Sequence, residues 1–240
     1  MSSIVIIGKG NSVLKCTQTY VDSCDKVCFI NYPRVTGYEK NISTRCDYHI
    51  CLTDSQIDFM ATIDTNITWD TDLKKYIDYD YYINNTLGIT HILQCGNHPR
   101  EKYMKYIKNK KNIQVDVFFR RKMMQQMRYL SKYNNWFPSS GILAFDFFIN
   151  SKKFKTITLV GYDFYTSNDK TLDINKKSSN YYFLHDDNIK NIRDNTIGNT
   201  HNPQQSIDYI IKRIKEHPDI QFIMYTNCTL FPTLSNLEIR

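Results

Sequence analysis

The run "TITLVG" at 156–161 constrains the fold more than any other part of the chain. It is β-branched and apolar on both faces, so it suits a central parallel strand covered by helices on each side. The segment before it supplies one such cover. In "WFPSSGILAFDFFINSKKF", Ser139 or Ser140 is placed to cap a helix, because a hydroxyl satisfies one orphan N–H of the first turn. Ile142, Phe145 and Ile149 recur at helical spacing and predict one inward face. Lys152 and Lys153 come near its end, where cations suit the helix dipole. Both ends of this helix, turn and strand suit a ligand. The helix start offers backbone donors, and the strand stops at Gly-Tyr-Asp-Phe-Tyr, at the carboxyl edge where open α/β sheets bind ligands.

Further strands are predicted in "SIVIIG" at 3–8, "KVCFIN" at 26–31, "DYHICL" at 47–52, "THILQC" at 90–95, "IQVDVF" at 113–118 and "QFIMYT" at 221–226. Helical patterns lie between several of them, and an alternating βα order implies a Rossmann-like α/β fold: a mostly parallel sheet with helices on both faces. A chain of 240 residues suits one sizeable domain, and no repeat or linker divides it, so residues 1–240 are read as a single domain. The stretch 54–86 reads as partly helical and exposed. The polar connection at about 166–200 is irregular, as functional loops or lids over active sites are. It leads into a helix with Asn202 as N-cap, Pro203 at the first helical position and a stripe of Ile207, Ile210, Ile211 and Ile214. His201 consequently stands just before a helix start.

The charge of +7 suits an anionic ligand. The basic residues are scattered through "KNKKNIQ", "FFRRKMM", "SKKFK" and "IKRIK", and no recognisable nucleic-acid module is present, so nucleic acid is not the expected partner. Seven cysteines are dispersed, and Cys24 and Cys28 lack a second close pair with His to complete a zinc site; buried reduced thiols are expected. With neither a signal-peptide pattern nor an apolar run of ~20 residues, a cytoplasmic protein without a transmembrane segment is expected. Assembly into a homo-oligomer stays open.

Gly8-Lys9-Gly10-Asn11-Ser12 follows the first strand, where a close turn can cradle a phosphate or nucleotide. The third glycine of the dinucleotide fingerprint is missing. The second strand also ends in Asn31, where an NAD-binding fold has an acidic residue for the ribose. The pattern thus favours a nucleotide other than NAD, with a plain structural turn as the other reading.

Taken together, "IIGKGNS", "CFIN", "PSSGILA", "LVGYDFY" and a late His before a helix resemble the bacterial sialyltransferases that decorate lipooligosaccharide, and more distantly the eukaryotic sialyltransferases. The resemblance implies a sialyltransferase-like variant of the GT-A fold that binds a CMP-activated sugar. It implies inverting transfer to a glycan hydroxyl, without metal and without a cofactor. By this resemblance Gly8, Gly10 and Ser12 shape the nucleotide turn, and Lys9 and Asn11 belong to it. Asn31 contacts the donor, and Ser139, Ser140 and Gly141 meet the nucleotide or donor sugar. Asp163 joins the substrate-binding set, Tyr165 hydrogen-bonds the departing phosphate, and His201 is the general base. The family's turn reads Gly-Asn-Gly-Pro-Ser, so Lys9 and Asn11 are departures. A second phosphate-binding tyrosine has no clear counterpart, and Tyr181 and Tyr182 are the candidates for it.

The chemistry suits these residue types. Phenolic donors stabilise a phosphate leaving group without metal, and imidazole accepts a proton near neutral pH. His185, in "FLHDD" with Asp186 and Asp187, is the competing base, and Asp78 and Asp80 in "DYD" imitate a metal-binding Asp-X-Asp. The expected function is a metal-independent, inverting, sialyltransferase-like glycosyltransferase. The alternatives are a UDP- or GDP-sugar enzyme of the same fold, since Lys9 suits a further phosphate, and a non-catalytic nucleotide- or glycan-binding protein.

Overall fold

The computed structural model describes residues 2–31, 33–51, 91–94, 114–116, 138–164 and 203–240, with 51, 91–94 and 114–116 described through their backbone. Its strands are β1 (Ser3–Ile7), β2 (Lys26–Ile30), β3 (Tyr48–Cys51), β4 (His91–Gln94), β5 (Gln114–Asp116), β6 (Thr156–Val160), β7 (Gln221–Tyr225) and β8 (Leu237–Ile239). They form one sheet in the order β5-β4-β3-β2-β1-β6-β7-β8, and every pairing between them is parallel. The α/β class expected from the sequence is the class observed. All the expected strands are present, each shorter by one residue or more than the run that signalled it. β8 was not foreseen, because a three-residue edge strand with two exposed positions carries no buried-strand pattern.

Among the described residues, three α-helices pack on this sheet: α1 (Gln18–Ser23), α2 (Ser140–Asn150) and α3 (Pro203–Glu216). Strand alternation divides the core between the two faces. Ile4, Ile6, Cys28, Ile30, Ile157, Leu159, Phe222 and Met224 join Phe145, Phe148, Ile210 and Ile214 of α2 and α3 in one cluster. On the opposite face Tyr20 of α1 reaches across to Thr158, with the two hydroxyls 2.8 Å apart. Each fully buried large apolar side chain stabilises this core by ~1.5–3 kcal/mol. Cys16, Cys24, Cys28, Cys46 and Cys228 are buried thiols, as expected, and burial pushes Cys16 up to about 11. Among the described residues, no helix is long and apolar enough to cross a membrane.

The caps resolve one choice the sequence left open. Ser139 is the N-cap of α2, its hydroxyl accepting from the Ile142 N–H at 3.5 Å. α3 begins at Pro203, where the fixed proline φ suits a first helical residue. Its stripe differs from expectation, since Ile211 is half-buried while Tyr209 and Arg213 turn inward. The reason lies on α2. Asp146 is completely buried and accepts from Tyr209 Oη (2.7 Å), Arg213 Nε (2.8 Å) and Asn150 Nδ2 (2.7 Å). Arg213 also donates to Asn150 Oδ1 (2.7 Å) and Glu216 Oε2 (2.8 Å), so a charged pair joins the two helices inside their apolar layer.

Candidate functional site

The strand order reverses between β1 and β6: from β1 the sheet proceeds to β2 on one side, and from β6 to β7 on the other. The carboxyl edge at such a switch point is where open α/β sheets bind ligands. Two loops interlock there. The N–H groups of Gly8 and Gly10 donate to the carbonyls of Val160 (2.7 Å) and Gly161 (3.0 Å). Close approach explains the glycines. A Cβ on Gly10 would lie 2.6 Å from both the Gly161 carbonyl oxygen and Asp163 Oδ2. Gly161 itself has φ 75, a left-handed conformation in which an added Cβ would also meet Val13 at 2.7 Å.

Asp163 ties this turn to the end of β7. One carboxylate oxygen accepts from the Ser12 N–H at 2.8 Å and the other from the Asn227 N–H at 2.9 Å. Ser12 donates its hydroxyl to the Tyr225 carbonyl (2.7 Å), and Thr226 donates to the Tyr162 carbonyl (2.7 Å). Tyr162 in turn donates to the Gly141 carbonyl (2.9 Å), fastening the first turn of α2 to the same edge. Burial raises the Tyr162 pKa well above the ordinary phenol value, so it remains a donor. An open depression of about 370 Å³ lies beside this edge, with Lys15, Asn227, Phe231 and Arg240 in its wall.

The structure brings Gly8, Lys9, Gly10, Asn11, Ser12, Ser139, Ser140, Gly141 and Asp163 to one carboxyl edge and divides them by burial. Lys9, Gly10, Asn11, Ser139 and Gly141 are half-buried at the surface of that edge. Gly8, Ser12, Ser140 and Asp163 are buried beneath it. Ser12 is wholly enclosed and spends both N–H and hydroxyl on protein acceptors, so its part is to shape the turn. Asp163 likewise acts from inside, through Ser12 and Asn227. Asn31 is half-buried one residue beyond β2, with φ 56. Its N–H donates to the Ile50 carbonyl (2.7 Å), and its carbonyl pairs with Nε2 of fully buried His49.

Tyr165, Tyr181, Tyr182, His185, Asp186, Asp187 and His201 lie outside the described residues, as do Asp78, Asp80 and the segments 54–86 and 166–200. Among the described residues no group of three His, Cys, Asp or Glu side chains is placed to hold a metal ion. Sequence reasoning missed Tyr162, Asn227 and His49. The last carried a usable signal, an imidazole in the middle of the strand pattern "DYHICL".

No protein-family model matches the chain, and no curated protein matches its sequence. Solved structures do match it. The sialyltransferase CstII from Campylobacter jejuni, in complex with the substrate analogue cytidine-5'-monophosphate, superposes with a TM-score of 0.55 at 15% identity, over 100% of this chain and 85% of that one. A tyrosine-to-phenylalanine variant of CstII in complex with CMP gives 0.58 at 16%, over 100% and 86%. The monofunctional α-2,3-sialyltransferase Cst-I from the same organism gives 0.54 at 18%, over 100% and 80%. The chain has the fold of these sialyltransferases.

Proposed function

We propose that this chain is an inverting glycosyltransferase, moving a sialic-acid-like sugar from a CMP-activated donor to a glycan hydroxyl without metal or resident cofactor. One observation carries the reading. The glycine turn, the start of α2 and the end of β6 converge at a switch-point edge, in a fold whose solved examples include complexes with CMP. The first turn of α2 offers backbone donors to an anion, and half-buried Lys9 in the glycine turn brings a positive charge to the same edge.

A phosphodiester leaving group needs its developing charge stabilised, and Tyr165, next in the chain after Phe164, supplies a phenolic donor. Tyr181 and Tyr182 are the candidates for a second. α3 connects the parallel strands β6 and β7, so its N-terminus belongs at the carboxyl edge. His201, two residues before Pro203, is the proposed base that takes the acceptor proton.

The test is turnover and donor hydrolysis against a panel of nucleotide sugars, with and without chelator. CMP-sialic-acid turnover should survive chelation. His201→Ala should lower the rate ~10²-fold or more, the usual range for removing general acid-base catalysis. Folded His185→Ala should lose less than about tenfold. Loss of activity in chelator, restored by manganese, would remove the metal-free reading and promote Asp78 and Asp80. Lys9 favours one second reading, a UDP or GDP sugar whose additional phosphate it would neutralise. Turnover of those donors alone would select it, and binding without turnover of any donor would leave a nucleotide-binding protein.

A further inference from the structure

Where β2 leaves the sheet, the backbone of Asn31 is held by β3 through both its N–H and its carbonyl. Its N–H donates to the Ile50 carbonyl at 2.7 Å, as a continuing parallel ladder would have it. Its carbonyl is met by a side chain, the His49 ring at Nε2. A carbonyl can only accept, so Nε2 carries the proton and the imidazole acts as the donor. This exchange of a ladder N–H for a ring N–H lets the chain turn sharply at Asn31, whose φ of 56 lies in the left-handed region. Among residues with a Cβ, Asn tolerates that region best.

The register gives the place of this device. Ile7 of β1 pairs with Phe29 of β2, and Phe29 pairs with His49 of β3. Both neighbouring strands leave the sheet just beyond this pairing, β1 into the glycine turn and β2 at Asn31, so the two exits share the carboxyl edge. Burial of the His49 ring lowers its pKa to about 4, so the ring stays neutral at working pH and its donor is constant.

We infer that His49 is a positioning residue for the nucleotide donor, its ring holding the Asn31 backbone in a left-handed turn at the carboxyl edge, beside the strand that leads into the glycine turn. The inference rests on the proposed donor site. Without the ring donor the carbonyl loses its buried partner, and rotation of the peptide toward water is the cheapest repair. That rotation moves Asn31 out of its conformation while leaving the strands paired, so the loss falls on ligand binding more than on folding.

Calorimetric titration of CMP into the full chain tests this, comparing wild type with His49→Phe, His49→Gln and Asn31→Ala. Phe fills the space of the ring and donates nothing, whereas Gln keeps an N–H donor at similar reach. His49→Phe should weaken CMP binding ~10-fold, the size of one lost hydrogen bond, and His49→Gln should restore most of it. Their melting temperatures should differ from each other by only a few degrees. Weak CMP binding by Asn31→Ala alongside wild-type binding by His49→Phe would overturn the inference and leave the donor site standing. Absence of CMP binding in wild type would overturn the donor reading and the inference with it, whereas undiminished binding by Asn31→Ala would overturn the inference alone. Should His49→Phe fail to fold, the wild-type His49 Nε2 proton resonance, assigned by its loss in His49→Gln, decides. It should shift on addition of CMP, and a resonance unmoved at saturation overturns the proposal.

Discussion

Asp146 and Asp163 are both buried carboxylates, with 0% and 6% of their surface exposed, yet they hold different parts of the molecule. Asp146 sits between α2 and α3 and is met by the guanidinium of Arg213, a phenol and an amide. Asp163 sits at the carboxyl edge and takes backbone N–H groups from two loops, at Ser12 and Asn227. The first is a charge balanced inside a core, and disturbing it acts on the folded state as a whole. The second is a tether between loops that border the candidate site, and disturbing it moves those loops while the strands beneath stay paired.

The largest effect is expected where the balance is broken outright. Arg213→Leu strands the Asp146 carboxylate in an apolar layer, and breaking a buried pair by removing one partner costs ~3–5 kcal/mol. Denaturant unfolding should show that loss. Replacing both partners, as Asp146→Leu with Arg213→Met, should recover most of it, because no charge is then left buried. A single variant that loses under ~1 kcal/mol would remove the contrast, since Asp146 would then not depend on its counter-charge.

Acid acts next. The His49 pKa is about 4 in the folded protein against 6.5 for an ordinary histidine, chiefly through burial. Between those values the unfolded chain binds a proton that the folded chain refuses, so stability falls as pH drops from 6.5 to 4 and levels below. The contribution is roughly 3 kcal/mol. Subtracting the pH profile of His49→Gln from that of wild type isolates this term from the carboxylates. A flat difference would show that the ring titrates normally and is not enclosed as the structure has it.

Gly10→Ala comes third. Its Cβ would meet two oxygens at 2.6 Å, one of them backbone, so the turn must move away from β6. Overpacking of this kind costs ~1–3 kcal/mol, and CMP affinity should fall by about tenfold or more. Wild-type affinity in a variant that melts normally would mean that the turn is not part of the donor site.

Much of this contrast was legible beforehand, and for physical reasons. Buried parallel strands announce themselves as apolar runs, so "SIVIIG" and "TITLVG" gave their strands and the glycines at their ends gave the turn. Pro203 marked the start of α3 correctly because its ring geometry is local. Asp146 and Arg213 were hidden because their pairing crosses 67 residues of chain, and the apolar spacing of α2 and α3 is the same with or without it. Ser12 and Asp163 were expected as site residues from the turn and strand-end patterns. Their enclosure was invisible, since burial depends on where β6 and β7 end relative to β1. His49 looked like one more strand residue because its partner, the Asn31 carbonyl, belongs to a different strand's exit.

The smallest expected effect on stability, Asp163→Asn, probes the contrast most directly. An amide presents one acceptor and one donor, so it can serve only one of the two N–H groups that the carboxylate now receives. Ser12 is wholly enclosed and cannot turn to water, whereas Asn227 is half-buried and can. The amide oxygen should therefore face Ser12, and the loop at Asn227 should give way. Losing one charge-assisted bond while the exposed loop gains water leaves a cost of ~1 kcal/mol, or a fall of about 2–4 °C in melting temperature. CMP affinity should drop several-fold, because the tether that aligns the glycine turn with the end of β7 is half gone. Calorimetry of CMP binding beside thermal melting reads both quantities on the same variant. If Asp163→Asn destabilises the chain as much as Arg213→Leu while CMP binds undiminished, Asp163 is a core carboxylate like Asp146, and the division between the two regions fails.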